Sequence, residues 1–272
     1  MDFLGDVAEA LRFVVTPGNW TGETEKTAVT PIAEALWTHT WLSALALLVA
    51  AAIALPLALW LGHVGRGGVL AVNVSNAGRA VPTLALLFVL SLNPALFGEP
   101  AVVIALVAFA LPPLVTNAYV GMREVDADTK EAAVGSGMTG WQLLRRVEIP
   151  LAAPLVLTGV RTATVQVIAT TTLGALAGVG GLGSYITGGQ GRQDQVLVYI
   201  GVVLVAAYAM AADLLLGVLQ RRTEPTRREG GAEPGAVDGS AAGSGEVDDD
   251  AADAGGTTGP DGRRRDVLAA GR

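Results

Sequence analysis

The sequence predicts an all-α, polytopic membrane protein with five membrane-crossing helices, and three observations predict it. Of 272 residues, 51% are hydrophobic and 16% charged, against roughly 25% charged in soluble domains, and mean hydropathy is +0.48. The apolar residues cluster in stretches of about 20 nearly free of charge, the length a helix needs to cross the hydrocarbon core. These runs are rich in Ala and Leu and lack the period-2 alternation of barrel strands, so helices, which satisfy their own backbone in lipid, are implied. Third, Lys and Arg are abundant in every second connection between the runs and scarce in the others.

The N-terminal segment, 1–36, begins without the basic region of a signal peptide, since Asp2, Asp6 and Glu9 stand there. Phe3, Leu4, Val7, Leu11 and Val14 recur at helical spacing opposite those acids, which predicts a short helix at the membrane surface. Pro17-Gly18-Asn19 ends it. The first span is expected at 38–61, bracketed by Trp41 and Trp60. Nineteen residues at 1.5 Å each separate them by about 28 Å, and Trp prefers the two interfaces. The second span is expected at 72–92. The third, 101–121, carries Pro112-Pro113, where a kink is expected. The fourth is expected at 153–177 and the fifth at 196–219.

The basic residues orient these spans. Arg66 and Arg79 follow span one, Arg123, Lys130, Arg145 and Arg146 follow span three, and Arg221 and Arg222 follow span five. The 93–100 connection has neither Lys nor Arg, and 178–195 has only Arg192. Positive charge collects on the cytoplasmic side, so the N-terminus is expected outside and the C-terminus inside a cell membrane. Residues 223–272 hold eleven acids against six arginines without hydrophobic periodicity, and are expected to be a disordered acidic cytoplasmic tail. The formal net charge of −7 is mostly that tail's, so acidity says little about the folded part.

The connection at 122–152 is the longest on the inside. Asp128 with Glu131, and Thr139 with Gln142, have capping-box spacing and predict two short helices. Gly135 and Gly137 separate them, and Pro150 is expected to close the second. Ala132, Ala133 and Gly137 would let another protein approach the backbone closely. Trp141, Leu143 and Leu144 offer it an apolar face, flanked by Arg145 and Arg146.

Glu131-Ala132-Ala133, three residues, Gly137, nine residues, then Val147-Glu148-Ile149-Pro150 resembles the EAA signature of ABC importer permeases. The family pattern ends in I-x-L-P, and Val147 and Ile149 replace its apolar positions. The likeness extends over about 36–222 and is greatest to the osmoprotectant group, which imports glycine betaine, choline, carnitine or proline betaine. Ala80 to Leu87, Gly137 to Ala163, and the Gly-rich 178–190 carry it. It implies a five-helix type I importer core of the MetI-like kind. It implies that Glu131, Ala132, Ala133, Gly137, Trp141 and Pro150 belong to a segment docked on a separate cytoplasmic ATPase. It also implies a second permease, identical or related, and an extracytoplasmic substrate-binding protein. No nucleic-acid partner is expected; membrane lipid is.

No ATP site is expected in this chain. A P-loop needs Gly-Lys-Ser/Thr, and the two lysines, Lys26 and Lys130, follow no glycine. ATP and Mg are expected on the partner ATPase, with no cofactor here. Cysteine is absent, and His39 and His63 are expected to be solvated at span ends, so no catalytic or metal constellation is expected. Two rivals remain: an ABC permease for another small solute such as methionine, or an ion-coupled secondary transporter, which would need inverted repeats that are not evident.

Within the spans, Thr158, Thr162, Gln166 and Thr170 fall at steps of four on one helix face. They read either as a lining for the translocation pathway or as helix–helix hydrogen-bonding residues. Arg161 and Asp213 stand at similar expected depth in spans four and five and are candidates for a structural ion pair. Gly174 and Gly178 could pack span four against a neighbour, and the glycines through Gly183 are expected in an external turn.

Overall fold

The computed structural model describes residues 3–22, 30–68, 72–73, 77–78 and 81–223. Among them the secondary structure is helical throughout. Helix α1 is Phe3–Val15, α2 Gly18–Thr21, α3 Ile32–Val64, α4 Thr83–Ser91 and α5 Glu99–Arg123. Helices α6 (Ala127–Gly135) and α7 (Gly140–Leu143) follow, and a π-helical turn, Leu144–Glu148, joins α7 to α8, Ile149–Thr171. A 3₁₀ segment, Thr172–Ala177, leads to α9 (Gly183–Arg192) and α10 (Gln195–Thr223).

Among the described residues, four stretches are long and apolar enough to cross a membrane: Ile32–Val64, Glu99–Arg123, Gly140–Ala177 and Gln195–Arg221. They overlap the segments expected as spans one, three, four and five, the third of them beginning thirteen residues before the expected start at 153. The first starts earlier than expected, inside the segment assigned to 1–36. Of expected span two, the nine residues of α4 are continuous, and parts of 69–80 lie outside the described residues. The acidic tail from residue 224 onward also lies outside them.

Small residues hold the spans together. Leu42, Ala46, Ala50, Ala54, Ala58 and Gly62 recur every four residues along α3 and are all buried, chiefly against α5. Lipid provides no hydrophobic drive between helices, so close approach of small side chains supplies the dispersion energy instead. The approach is tight. A Cβ on Gly62 would overlap the Met122 side chain, and one on Gly159 would stand 2.9 Å from the Pro113 carbonyl oxygen. Helix α5 packs on α8, and α8 on α10. Helix α5 runs through Pro112 and Pro113 without a break, and the Asn117 amide donates to the Pro113 carbonyl at 2.8 Å.

Helix α1 forms where the periodicity predicts it, but its buried face is a different one. Leu4 is 80% exposed, while Ala10 is buried and Phe13 and Val14 pack with it on α10 and Tyr185. The indole of Trp20 and the amide of Asn19 donate to the Val14 and Phe13 carbonyls and finish the helix. The glycines expected in a turn do form one, with Gly178, Gly180 and Gly181 at positive φ, but the chain then enters a helix that the sequence does not predict, α9, from Gly183 to Arg192. Its Tyr185 is buried and donates its hydroxyl hydrogen to the Thr30 carbonyl at 2.7 Å. That apolar anchor offsets the weak helix propensity of Gly-Gly-Gln-Gly.

Candidate functional site

The segment from Met122 to Pro150 sits at the end of the spans where α3 terminates and α5 hands over to α6. Asp126 caps α6: its carboxylate accepts from the Thr129 amide and hydroxyl, each at 3.0 Å. The expected cap, Asp128 with Glu131, lies two residues too far along. The amide hydrogen bond holds the Asp126 carboxyl below its usual range. Thr139 and Gln142 do form a reciprocal capping box on α7, satisfying two otherwise orphaned amides.

Glu131, Ala132 and Gly137 are exposed, and Ala133 is buried. Gly137 adopts φ +84° with open space around it, so the backbone conformation, not crowding, demands glycine there. Trp141 is 62% exposed, with the Arg145 guanidinium 5.5 Å from its ring centroid. Leu143 and Leu144, expected on the outward face with it, point inward instead. Leu144 joins Met122, Val125 and Ala152 in a small core.

Pro150 does not close the second helix. The chain passes from α7 into α8 through the π turn, where the Ile149 amide donates to the Leu144 carbonyl five residues back. Pro150 has no amide hydrogen, and its ring would crowd the Arg146 carbonyl in a regular α-helix. The wider turn relieves that conflict, and such turns recur at functional sites.

The π turn ends in the buried carboxylate of Glu148, which accepts from His63 Nδ1 at 2.5 Å and Lys130 Nζ at 3.2 Å. Lys130 also donates to the Met122 carbonyl at 3.1 Å. His63 is therefore a partner of a buried acid rather than a solvated span end. His39 departs further from expectation. It is fully buried, and its Nε2 donates to the Ile168 carbonyl at 2.9 Å. Beside it, Ser43 donates to Thr171, whose hydroxyl donates to the Val167 carbonyl. Nothing in the local sequence marks the contacts of His39, Ser43 and His63, which join residues 85 to 129 positions apart.

A second polar region opens between α8 and α10. Thr158, Arg161, Thr162, Gln166, Asp213 and Gln220 line a groove of about 480 Å³. Arg161 Nε and Nη2 donate to the two Asp213 oxygens at 2.6 Å each, and Gln220 donates to the Thr158 hydroxyl at 2.9 Å. Gly217 leaves room for this fork, since a Cβ there would stand 3.3 Å from the guanidinium carbon. Thr170 is not in the groove. It lines a small apolar crevice with Thr83, Leu87 and Gly174. The polar stripe therefore divides, three residues facing α10 and one facing α4. Gly174 is packed against Val102, whereas a Cβ on Gly178, at φ +76°, would meet open space. Among the described residues no cluster of His, Cys, Asp and Glu could hold a metal ion.

Comparison with known proteins adds to this geometry. Residues 54–226 match the family described as binding-protein-dependent transport system inner membrane component. The carnitine transport permease protein OpuCD of Listeria monocytogenes is 34% identical over 199 residues, covering 73% of this chain and 89% of the relative. The glycine betaine/carnitine/choline transport system permease protein OpuCB of Bacillus subtilis is 33% identical, covering 71% and 88%. The B. subtilis choline transport system permease protein OpuBD is also 33% identical, covering 70% and 84%. Among solved structures, the inward-facing MetNI methionine ABC transporter aligns with a TM-score of 0.62 at 19% identity, covering 71% of this chain and 96% of the other.

Proposed function

The chain belongs to the binding-protein-dependent transport system inner membrane components, and from that premise we propose that it is the permease subunit of an ATP-driven osmoprotectant importer. It is a multi-pass membrane protein. Its cargo is a small quaternary-ammonium or related zwitterionic solute such as glycine betaine, choline or carnitine. The observation that carries this reading is the agreement of relatives more than 30% identical over most of their length with an intact EAA-type segment. The likeness to the methionine transporter, at 19% identity, concerns the fold and not the cargo.

In this reading α6 and the start of α7 form the coupling segment on the cytoplasmic face. Glu131, Ala132, Gly137 and Trp141 meet the ATPase, and Ala133 and Pro150 set the segment's own packing. ATP and Mg reside on that partner. A second permease completes the pathway, and an extracytoplasmic binding protein delivers the solute. The N-terminus lies outside and the tail inside. A rigid helix fixed between α5 and α8 can turn closure of an ATPase dimer into a tilt of the spans. Thr158, Thr162 and Gln166 offer hydroxyl and amide groups to a zwitterion in transit, because intramembrane polar residues favour wet cavities.

Reconstitution tests the proposal. The chain is purified with its ATPase and binding protein, placed in liposomes, and assayed for uptake of labelled glycine betaine, choline, carnitine and methionine. ATP-dependent uptake of one of the first three is expected. Uptake of methionine alone, or uptake without nucleotide, would overturn it.

A further inference from the structure

Helix α6 is poorly anchored by packing. Among its described residues, Ala133 alone is buried, and the connection to α7 passes through Gly137 in a left-handed conformation with open space around it. A helix held so lightly would swing at its hinge when pushed instead of moving the spans. Polar contacts supply what apolar burial does not. The Glu148 side chain is 2% exposed, and a carboxylate so buried requires charged or hydrogen-bonded partners. It divides its oxygens between His63 at the end of α3 and Lys130 on α6. Lys130 reaches in addition to the Met122 carbonyl in the last turn of α5, where the helix dipole favours a cation. The His63 ring is itself confined, with Trp60 6.4 Å away and Gly140 so close that a Cβ there would lie 3.7 Å from Nε2. One carboxylate and one ammonium thus tie α3, α5, α6 and the root of α8 together.

We infer that Glu148, with His63 and Lys130, is the positioning cluster of the coupling segment: it makes α6 move as one body with three spans, so that ATPase motion reaches the pathway. The inference rests on the permease reading above. In it the three residues act through the helices they join.

The test uses the full chain in complex with its ATPase and binding protein. Glu148→Gln keeps the shape and some hydrogen bonding while removing the charge. ATP hydrolysis and assembly should persist, while ATP consumed per solute moved rises about tenfold or more. Lys130→Gln should do the same, Lys130→Arg should restore coupling, and the double variant should be no worse than the worse single one. Should Glu148→Gln fail to assemble, the Lys130 pair of variants carries the same test. Unchanged coupling ratios, or effects that simply add, would overturn the inference. A second readout does not depend on the cargo. The chain has no cysteine, so spin labels on Val64→Cys and Val134→Cys, both at exposed positions, report the distance between α3 and α6. The distribution should broaden in Glu148→Gln, and an unchanged width would overturn the cluster's role. A parent complex that moves no solute would refute the permease proposal, while the label distances would still decide the cluster.

Discussion

The Glu148 cluster and the Arg161–Asp213 pair are both acid–base contacts between distant helices, yet burial separates them. The Arg161–Asp213 fork has the better geometry, two bonds of 2.6 Å, but its side chains are 38% and 35% exposed on the described chain. Glu148 is bound less symmetrically and is 2% exposed. An exposed pair can trade its partner for water or a neighbouring hydroxyl, and its contribution is screened. A buried carboxylate cannot, so its partners are fixed as long as it is charged. The first region suits a groove whose polar groups exchange partners; the second suits a rigid joint.

The largest expected effect breaks the joint. His63→Leu with Lys130→Met strips Glu148 of both partners while leaving it buried, and should destabilise the protein by about 3–5 kcal/mol, measured by denaturant unfolding in detergent. Glu148→Gln should cost far less, because His63 and Lys130 are 20% and 22% exposed and can turn to solvent. Equal losses would erase the distinction drawn from burial. Next in size is accessibility. Thr162→Cys and Gln166→Cys in the groove should react with water-soluble thiol reagents about tenfold faster than Ala163→Cys, which replaces a buried residue. A uniformly unreactive stripe would remove the pathway reading and leave helix packing. A smaller effect is expected at the fork. Asp213→Arg should lower uptake about fivefold or less, and adding Arg161→Asp should recover part of it; no recovery would argue against direct pairing in the working protein.

The smallest effect belongs to the cap of α6. Asp126→Ala should lower uptake about twofold or less, and Asp126→Asn should be neutral, because Asn caps as well as Asp. Its folded-state carboxyl is held below the usual range by the Thr129 amide. The stabilisation is therefore fully present above the ordinary carboxylate pKa and lost only as pH falls through the lowered value. Uptake by the parent and by Asp126→Asn should consequently run parallel between about pH 6 and 8. Divergence there would mean that the cap does more than hold the helix.

Legibility in the sequence followed the range of the interaction. The capping box of Thr139 and Gln142 is a three-residue device, and it forms. Spacing does not single out Asp126, because Asp126 and Asp128 stand within one turn and the choice between them depends on where α5 ends. Pro150 reads as a stop because a proline normally ends a helix, whereas the π turn before it, which leads the chain into α8, is not encoded by any local spacing. Leu143 and Leu144 looked like an outward face beside Trp141, but helix α7 is too short for periodicity to fix its rotation; contact with Met122 and Ala152 does so.

By itself the sequence determined the number of residues in each apolar run, and hence which helices can cross a bilayer, because transfer into hydrocarbon is summed over neighbours along the chain. It determined the EAA-type segment for the same reason, since spacing along one strand of backbone is all the motif requires. Matching depth along the spans already made Arg161 and Asp213 candidates for a pair, and they pair; only the tertiary structure decided that His63 faces Glu148 across 85 positions and His39 the Ile168 carbonyl across 129. A buried charge such as Glu148 needs a partner, but which one it finds is set by how α3, α5, α6 and α8 pack.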